Sequence, residues 1–509
     1  MPWLEWHNRN DDLKATAKTP YRLLQPIQSL SHGDEDAPNM LIQGDNLEAL
    51  KALLPYYAGQ VKCIFIDPPY NTKSAVSIHY DDNIEHAQWL SILYPRLVLL
   101  RELLAEDGSI WTTLDDHEAH YFKVIADEVF GRKNFIVEIA WQKAFAKKNK
   151  AIISGSHDHL FVYAKKKENW KRNLVVRTPA NIKSYKNPDN DPRGVWTSVA
   201  YSVPTEDAEK RAQYRYDIDL PAGGKIGPPA GRHWNGLPDR TDSLRNDNRL
   251  WFGKDGKRRP REKVFLSESL EGVVPDTWWD HKFAGSNQDA KKELLALFPG
   301  EEPFATPKPE KLIRRIIEIA SNKGDLVLDS FLGSGTTAAV AHKLERRWIG
   351  IEVGEHARTH CQPRLVKVID GEQGGISVEV DWQGGGGFRF YQLGPKVFDD
   401  QGRINPEIKF EHLAAHIWFA ETGTARSTRA MKSPLLGVHN GTAYYLLYNG
   451  ILGDKTLTGG NMLTMKVLAG LPKHDGPMVI YGEGTNMTND RLRSLGIKFK
   501  KTPNDIRAR

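Results

Sequence analysis

The sequence predicts an α/β protein in which a mostly parallel sheet, flanked by helices, is interrupted by a basic insert and followed by a small α/β tail. Three observations carry that prediction. From Asn39 the chain reads strand, helix, strand (NMLIQGD, NLEALKALLPYY, VKCIFIDPPY), the spacing of a parallel α/β unit. The same pattern returns after residue 300, as the amphipathic KPEKLIRRIIEIAS, the buried-strand run DLVLDS, the helix AAVAHKL and the strand RWIGIE. Between them the periodicity dissolves into Pro, Gly, Asp, Arg and Trp-rich sequence.

In chain order, residues 1–38 are polar and proline-punctuated and form an extension. Residues 39–164 form the first part of the sheet domain; apolar runs at GSIWTTLDD, FIVEIAW and DHLFVYAKK and a helix-period segment from Gln88 to Ala105 bring this half to about five strands. Residues 165–300 are the insert, 301–373 the second part of the same sheet, and 374–509 a tail opening on the glycine run Gly384–Gly387, with helix HLAAHIWFAE and strands TAYYLLY, PMVIYG and IKFKK.

A chain of 509 residues exceeds one compact core. With 40% hydrophobic and 26% charged residues and no long apolar run, it is not expected to span a membrane. The amino terminus MPWLEWHNRNDDLK lacks the apolar segment of a secretory signal, and the two cysteines, Cys63 and Cys361, have no metal-type spacing. A cytoplasmic protein without disulfides or a zinc site is expected. The net charge of +6 is concentrated: residues 165–300 hold 26 Lys or Arg against 19 Asp or Glu, the remainder 44 against 45. A local basic excess suits a polyanion-binding surface, although charge alone equally fits a solvated, loop-rich face.

Two constellations carry chemistry. Asp67-Pro68-Pro69-Tyr70 follows the apolar strand Cys63 to Ile66, and ligands of open α/β sheets bind at the carboxyl ends of strands. A carboxylate and the outward carbonyl of Pro68 can each accept an N–H, the prolines stiffen the turn, and Tyr70 offers a face for stacking, which together suit a planar ring bearing an NH2. The bland alternative is a Pro-Pro turn with a helix-capping Asp. The second is Asp329-Ser330-Phe331-Leu332-Gly333-Ser334-Gly335-Thr336-Thr337, between a strand and a helix, where glycines let a ligand approach the backbone and the helix start presents free N–H groups. Glu352 ends the next strand, 23 residues after Asp329, where an acid can accept hydrogen bonds from ribose hydroxyls. Neither G-x-G-x-x-G nor a phosphate-binding P-loop is present.

With these residues the sequence resembles amino-methylating DNA methyltransferases, in the permuted class whose DPPY motif precedes FxGxG, over roughly residues 39–370. The resemblance implies a Rossmann-like, seven-stranded, mostly parallel methyltransferase sheet with the basic insert as target-recognition domain. It implies S-adenosylmethionine binding by Phe331, Gly333, Gly335 and Thr336 with Asp329 opening the motif, and Glu352 on the cofactor ribose. Lys308 and Pro309 of Thr306-Pro307-Lys308-Pro309-Glu310 frame its methionine end, and Asp45 lies near its adenine. The family resemblance implies double-stranded DNA as substrate; the tail, including residues 433–437 and 498–503, is similar to that of type III restriction-modification methylation subunits, which implies a homodimer and a helicase-nuclease partner, with a stand-alone methyltransferase the alternative.

The expected reaction is methylation of the N6 amine of adenine in a short DNA sequence, with Asp67 and the Pro68 carbonyl polarising the amine and Tyr70 stacking on a flipped base. Asp at position 67 favours adenine over N4-cytosine methylation; a DNA-binding specificity subunit that needs a partner is the alternative from another class. Lys143, Lys147, Lys148 and Lys150, with Arg258, Arg259 and Arg261 of the insert, are candidates for DNA contact, whereas Trp234, Trp251, Trp278 and Trp279 read as core. No metal is needed for the expected chemistry; His157-Asp158-His159 lacks supporting ligands in the sequence and reads as the start of a strand, with metal binding the lesser alternative.

Overall fold

The computed structural model describes residues 3–72, 85–146, 152–177, 179–205, 210–269, 272–300, 302, 304–398, 405, 408–426, 433–448 and 461–502. Lys147, Lys148 and Lys150 lie outside the described residues. The chain divides into two compact units, Leu174–Pro275 and the remainder.

The larger unit is built on one sheet. Strands β1 (Arg22–Pro26), β2 (Met40–Gln43), β3 (Val61–Ile66), β4 (Leu104–Leu114), β5 (Phe135–Trp141), β6 (Asp158–Ala164), β7 (Trp278–Trp279), β8 (Leu326–Asp329), β9 (Arg347–Glu352) and β10 (Gly387–Lys396) lie in the order β1–β10–β2–β9–β8–β3–β4–β6–β5–β7. The run β2–β9–β8–β3–β4 is parallel throughout, and β6 is antiparallel to both β4 and β5.

The seven strands from β2 to β5 are those the resemblance implies, and the sheet extends past them on both edges. Strand β10, from the expected tail domain, pairs parallel with β2 and antiparallel with β1 from the amino-terminal extension, and β7 pairs parallel with β5. An open edge leaves unpaired N–H and C=O groups, and segments on either side of the sheet domain cover them.

The core forms because apolar positions recur at the period of each element. Helix α1 (Asn46–Tyr57) and helix α2 (His86–Leu103) pack Leu50, Leu53, Leu93, Leu97 and Leu100 against Ile64 and Ile66 of β3 and Leu328 of β8. Helix α3 (Glu310–Ala320) buries Leu312, Ile313, Ile316 and Ile317, the stripe its sequence spacing predicts. Each such side chain contributes about 1.5–3 kcal/mol by leaving water. Helix α4 (Thr336–Lys343) is buried along its length.

Farther along the chain, α5 (Phe410–Thr422) packs on a four-stranded sheet in the order β11 (Leu435–His439), β12 (Thr442–Leu446), β13 (Met478–Gly482), β14 (Ile497–Lys501).

The smaller unit is narrower than the insert expected at 165–300. Its limits exclude Trp278–Trp279, which joins the main sheet, and the helix Asn287–Leu297, which starts on a Ser286 and Asp289 capping box in the larger unit. Within it Trp196–Ala200, Arg261–Phe265 and Leu250–Trp251 form a three-stranded antiparallel sheet, and Tyr201, Ile218, Trp234, Leu250 and Phe252 form a small core. A buried ionic cluster supplements that core: the Lys263 ammonium reaches Asp189 and Asp191, and Arg193 pairs with Asp191 at 2.9 Å. Trp234 and Trp279 are core residues, as their sequence context predicts, whereas Trp278 is 56% exposed.

Candidate active site

Parallel pairing of β8 with β3, with Val327 opposite Cys63 and Leu328 opposite Ile64, brings the carboxyl ends of both strands to the same edge of the sheet. The chain leaves β3 towards β4 on one side and leaves β8 towards β9 on the other. The two motifs therefore meet at the topological switch point, where open α/β sheets bind ligands. Between them lies a cavity of about 400 Å³, lined by Asp67, Pro68, Pro69 and Tyr70 on one wall and by Asp329, Phe331, Gly333 and Thr336 on the other, with Lys308. That volume is in the range of small-molecule sites.

Side chains from distant elements hold the Asp67 turn. Asp67 Oδ1 accepts a 2.7 Å hydrogen bond from Thr113 of β4, and Oδ2 pairs with the Lys308 ammonium, which also lies 5.0 Å from the Tyr70 ring centroid. The Pro69 carbonyl accepts from the Trp89 indole at 2.7 Å, and Asn71, left-handed at φ 56°, donates to the buried Glu118 at 2.7 Å. The Tyr70 hydroxyl donates to Asp158 Oδ2 at 3.3 Å, and Asp158 Oδ1 accepts from the Lys143 ammonium at 2.5 Å. Burial, with the Asp158 and Asp67 carboxylates close by, pushes the Tyr70 phenol well above its ordinary range, so it remains a neutral donor. Burial also raises the Asp158 carboxyl, with Lys143 opposing.

The glycine loop is held by its own neighbours. Asp329 Oδ1 accepts from the Phe331 N–H at 2.9 Å and Oδ2 from the Thr337 hydroxyl at 2.6 Å, and burial pushes its carboxyl up to about 7. Gly333 and Gly335 have φ 57° and 81°, conformations that disfavour a side chain. A Cβ at Gly333 would stand 3.4 Å from the Phe304 ring, and one at Gly335 would stand 3.3 Å from Cys361 Cα. Beneath the loop, Arg364 donates to Thr336 Oγ1 at 2.8 Å and pairs with the buried Glu310, which also pairs with Lys343.

Four residues singled out in the sequence do not line the cavity. Glu352 is fully buried and accepts from the Gly333 N–H at 2.6 Å; Gly335 caps α4; Pro309 precedes α3 beside Lys308. Asp45 caps α1 through the Leu47 and Glu48 N–H groups and pairs with Arg96 at 2.8 Å.

The profile of the DNA methylase family matches residues 61–362, more than half of the chain and both motifs. The chain belongs to the DNA methylase family. Among curated relatives, this family member is 30% identical over 419 residues to the "Probable type III restriction-modification enzyme HindVI Mod subunit" of Haemophilus influenzae, covering 70% of this chain and 54% of that one. It is 33% identical over 335 residues to the type III restriction-modification enzyme StyLTI Mod subunit of Salmonella typhimurium, covering 60% and 50%. It is also 31% identical over 322 residues to the type II methyltransferase M.EcaI of Enterobacter cloacae, covering 62% and 66%. The chain spans about half the length of the type III relatives it matches.

Sequence reasoning missed Thr113, Trp89, Glu118 and Asp158 as supports of the Asp67 turn. Thr113 is the most legible in retrospect, because it lies next to the end of the strand that follows the motif strand in chain and in sheet; Trp89 and Glu118 carry no local signal. Lys143, singled out for DNA phosphates, is committed to Asp158. Arg258, Arg259 and Arg261 are exposed, and Arg261 donates to Ser198. Cys63 and Cys361 are free and buried. Among the described residues no helix is long and apolar enough to cross a membrane.

Proposed function

We propose that the chain is an S-adenosylmethionine-dependent DNA methyltransferase that modifies the N6 amine of adenine in a specific double-stranded sequence, within a restriction-modification system. The observation that carries this reading is the cavity at the switch point, which joins the Asp67 turn to the glycine loop across 264 positions of sequence.

The glycine-loop wall fits the proposed cofactor: left-handed Gly333 presents bare backbone to the cavity, next to the start of a helix. Phe331, Gly333 and Thr336 of the cavity wall would hold it, with Lys308 at the methionine end; Asp329 and Gly335 would set the loop's shape, and Glu352, buried on the Gly333 N–H, would act by holding that residue. When bound, S-adenosylmethionine supplies an electrophilic methyl group.

The chemistry asked of the chain is to make an aromatic amine nucleophilic. Asp67 keeps acceptor capacity beyond its bonds to Thr113 and Lys308, because an ionised carboxylate has about four lone-pair sites. One amine N–H donates to Asp67 and the other to the Pro68 carbonyl, which orients the nitrogen lone pair along the line of displacement. As nitrogen gained the methyl and the cofactor left as a neutral thioether, the Asp67 carboxylate would offset the positive charge on nitrogen until the extra proton passed to solvent. Tyr70, held by Asp158, stacks on a base flipped from the duplex. Leu174–Pro275 would serve as the recognition unit and the chain would act as a homodimer; the likeness to Mod subunits of type III restriction-modification enzymes supports a restriction subunit, a helicase-nuclease, as partner.

Long-read methylation sequencing of plasmid from a methylation-deficient host expressing the chain tests the proposal. A motif-specific N6-methyladenine signal that Asp67→Ala abolishes is expected. N4-methylcytosine in its place, or no methylation by soluble protein with the cofactor bound, overturns the adenine assignment.

A further inference from the structure

We propose that Asp116, His157 and His159 form a binding site for a transition-metal dication of the zinc class. In the sequence the triplet His157-Asp158-His159 lacks further ligands; antiparallel pairing of β4 with β6, which sets Leu114 opposite His159, brings Asp116 to it. Ligand atoms of Asp116, His157 and His159 all lie within 4.8 Å of one another. A tetrahedral zinc ion with bonds of about 2.0–2.1 Å asks for ligand atoms about 3.3 Å apart; Asp116 Oδ1 already stands 2.8 Å from His159 Nε2, so the closure still to be made is that of half-buried His157, by rotation of its side chain.

A fourth residue points the same way. Glu138 of β5 stands 2.5 Å from His159 Nδ1, on the opposite side of the ring from Asp116, which stands 2.8 Å from Nε2. With Nδ1–H donated to Glu138, the Nε2 lone pair faces Asp116, the carboxylate–histidine arrangement that orients imidazoles at metal sites. The His157 ring lies 5.2 Å from that of His159, and the His159 side chain is only 12% exposed. Two imidazoles and one carboxylate suit zinc, cobalt or nickel, with solvent completing the shell; magnesium and calcium prefer oxygen ligands alone.

The site matters because of the residue between the histidines. Asp158 holds Tyr70 and Lys143 at the cavity, so a dication bridging Asp116 to His157 and His159 clamps the backbone that carries it. The metal has no part in the reaction proposed above, and binding can be measured whether or not that reading holds.

The test is zinc binding by the full chain, stripped with chelator and titrated with zinc chloride against a chromophoric chelator, with cobalt absorption as a spectroscopic signature. One tight equivalent is expected. Glu138→Gln should weaken it about 10–100-fold, and Asp116→Asn or His157→Gln should weaken it further and remove the cobalt bands. The metal-free variants should melt with the metal-free parent. Asp116→Asn is the decisive variant, since an exposed side chain bears little on folding: parental zinc affinity in it, or no stoichiometric zinc in the parent, overturns the site.

Discussion

The two walls of the cavity differ in how much of their shape is local. The glycine loop takes its shape largely from itself and the segment that follows it: Asp329 bonds Phe331 and Thr337, Gly333 and Gly335 adopt conformations their own lack of a side chain permits, and Glu352 and Arg364 hold Gly333 and Thr336. The Asp67 turn has its partners elsewhere in the chain, in Thr113, Trp89, Glu118, Asp158 and Lys308. A local motif can be read from its letters, whereas the competence of the other wall rests on the sheet that assembles it. The first wall is expected to fail by losing affinity for the cofactor, the second by losing rate.

The largest effect should come from Asp67→Ala, which removes the acceptor proposed for the amine: turnover should fall about 10³-fold, the magnitude seen when one group stabilising developing charge is deleted. Cofactor affinity, measured by calorimetry, should change little; a parallel loss of affinity would erase the contrast between the walls. Gly335→Ala should do the reverse. A Cβ at φ 81° meets Cys361, and a left-handed non-glycine residue costs about 1–2 kcal/mol, or roughly 10-fold in cofactor affinity. Saturating cofactor should restore most of the rate.

Thr113→Val sharpens the comparison from the other side. Thr113 is fully buried and donates to Asp67, so the variant keeps the volume and removes one hydrogen bond to a charged acceptor. Turnover should drop about 10-fold with cofactor affinity and melting temperature nearly unchanged. A drop as large as that of Asp67→Ala would show that Thr113 takes part more directly.

The smallest effect is on pH dependence. Burial pushes Asp329 up to about 7 from an ordinary 3.8, so between those values the folded protein keeps a proton that the unfolded chain has released. The contribution of this group to stability then falls as pH rises through that interval and levels off above it. Urea unfolding of the ligand-free protein at about pH 5 and about pH 8 should show that decline, and Asp329→Asn should flatten it. An unchanged slope would mean that the carboxylate is ionised throughout.

Legibility varied in the same way over the fold. The strands around β3 and β8 and helix α3 were readable because their apolar residues recur at the strand or helix period and are buried where that period places them. The limits of the smaller unit were harder to read: its folding rests on a small aromatic core and on Lys263 with Asp189 and Asp191, contacts that leave no periodic trace. Trp278 and Trp279 read as part of the insert, yet they close the edge of the main sheet beside β5.

By itself the sequence determined the α/β class, the two motifs and their neighbouring strands, because turn residues, glycine conformations and apolar period are local properties. Only the tertiary structure decided that Lys308 and Thr113 share one carboxylate, that Asp158 holds Tyr70, that β10 and β1 widen the sheet, and that Asp116 reaches His157 and His159. Each of those contacts joins segments whose approach is set by strand order and register, and no local property of a residue records which strand lies beside its own.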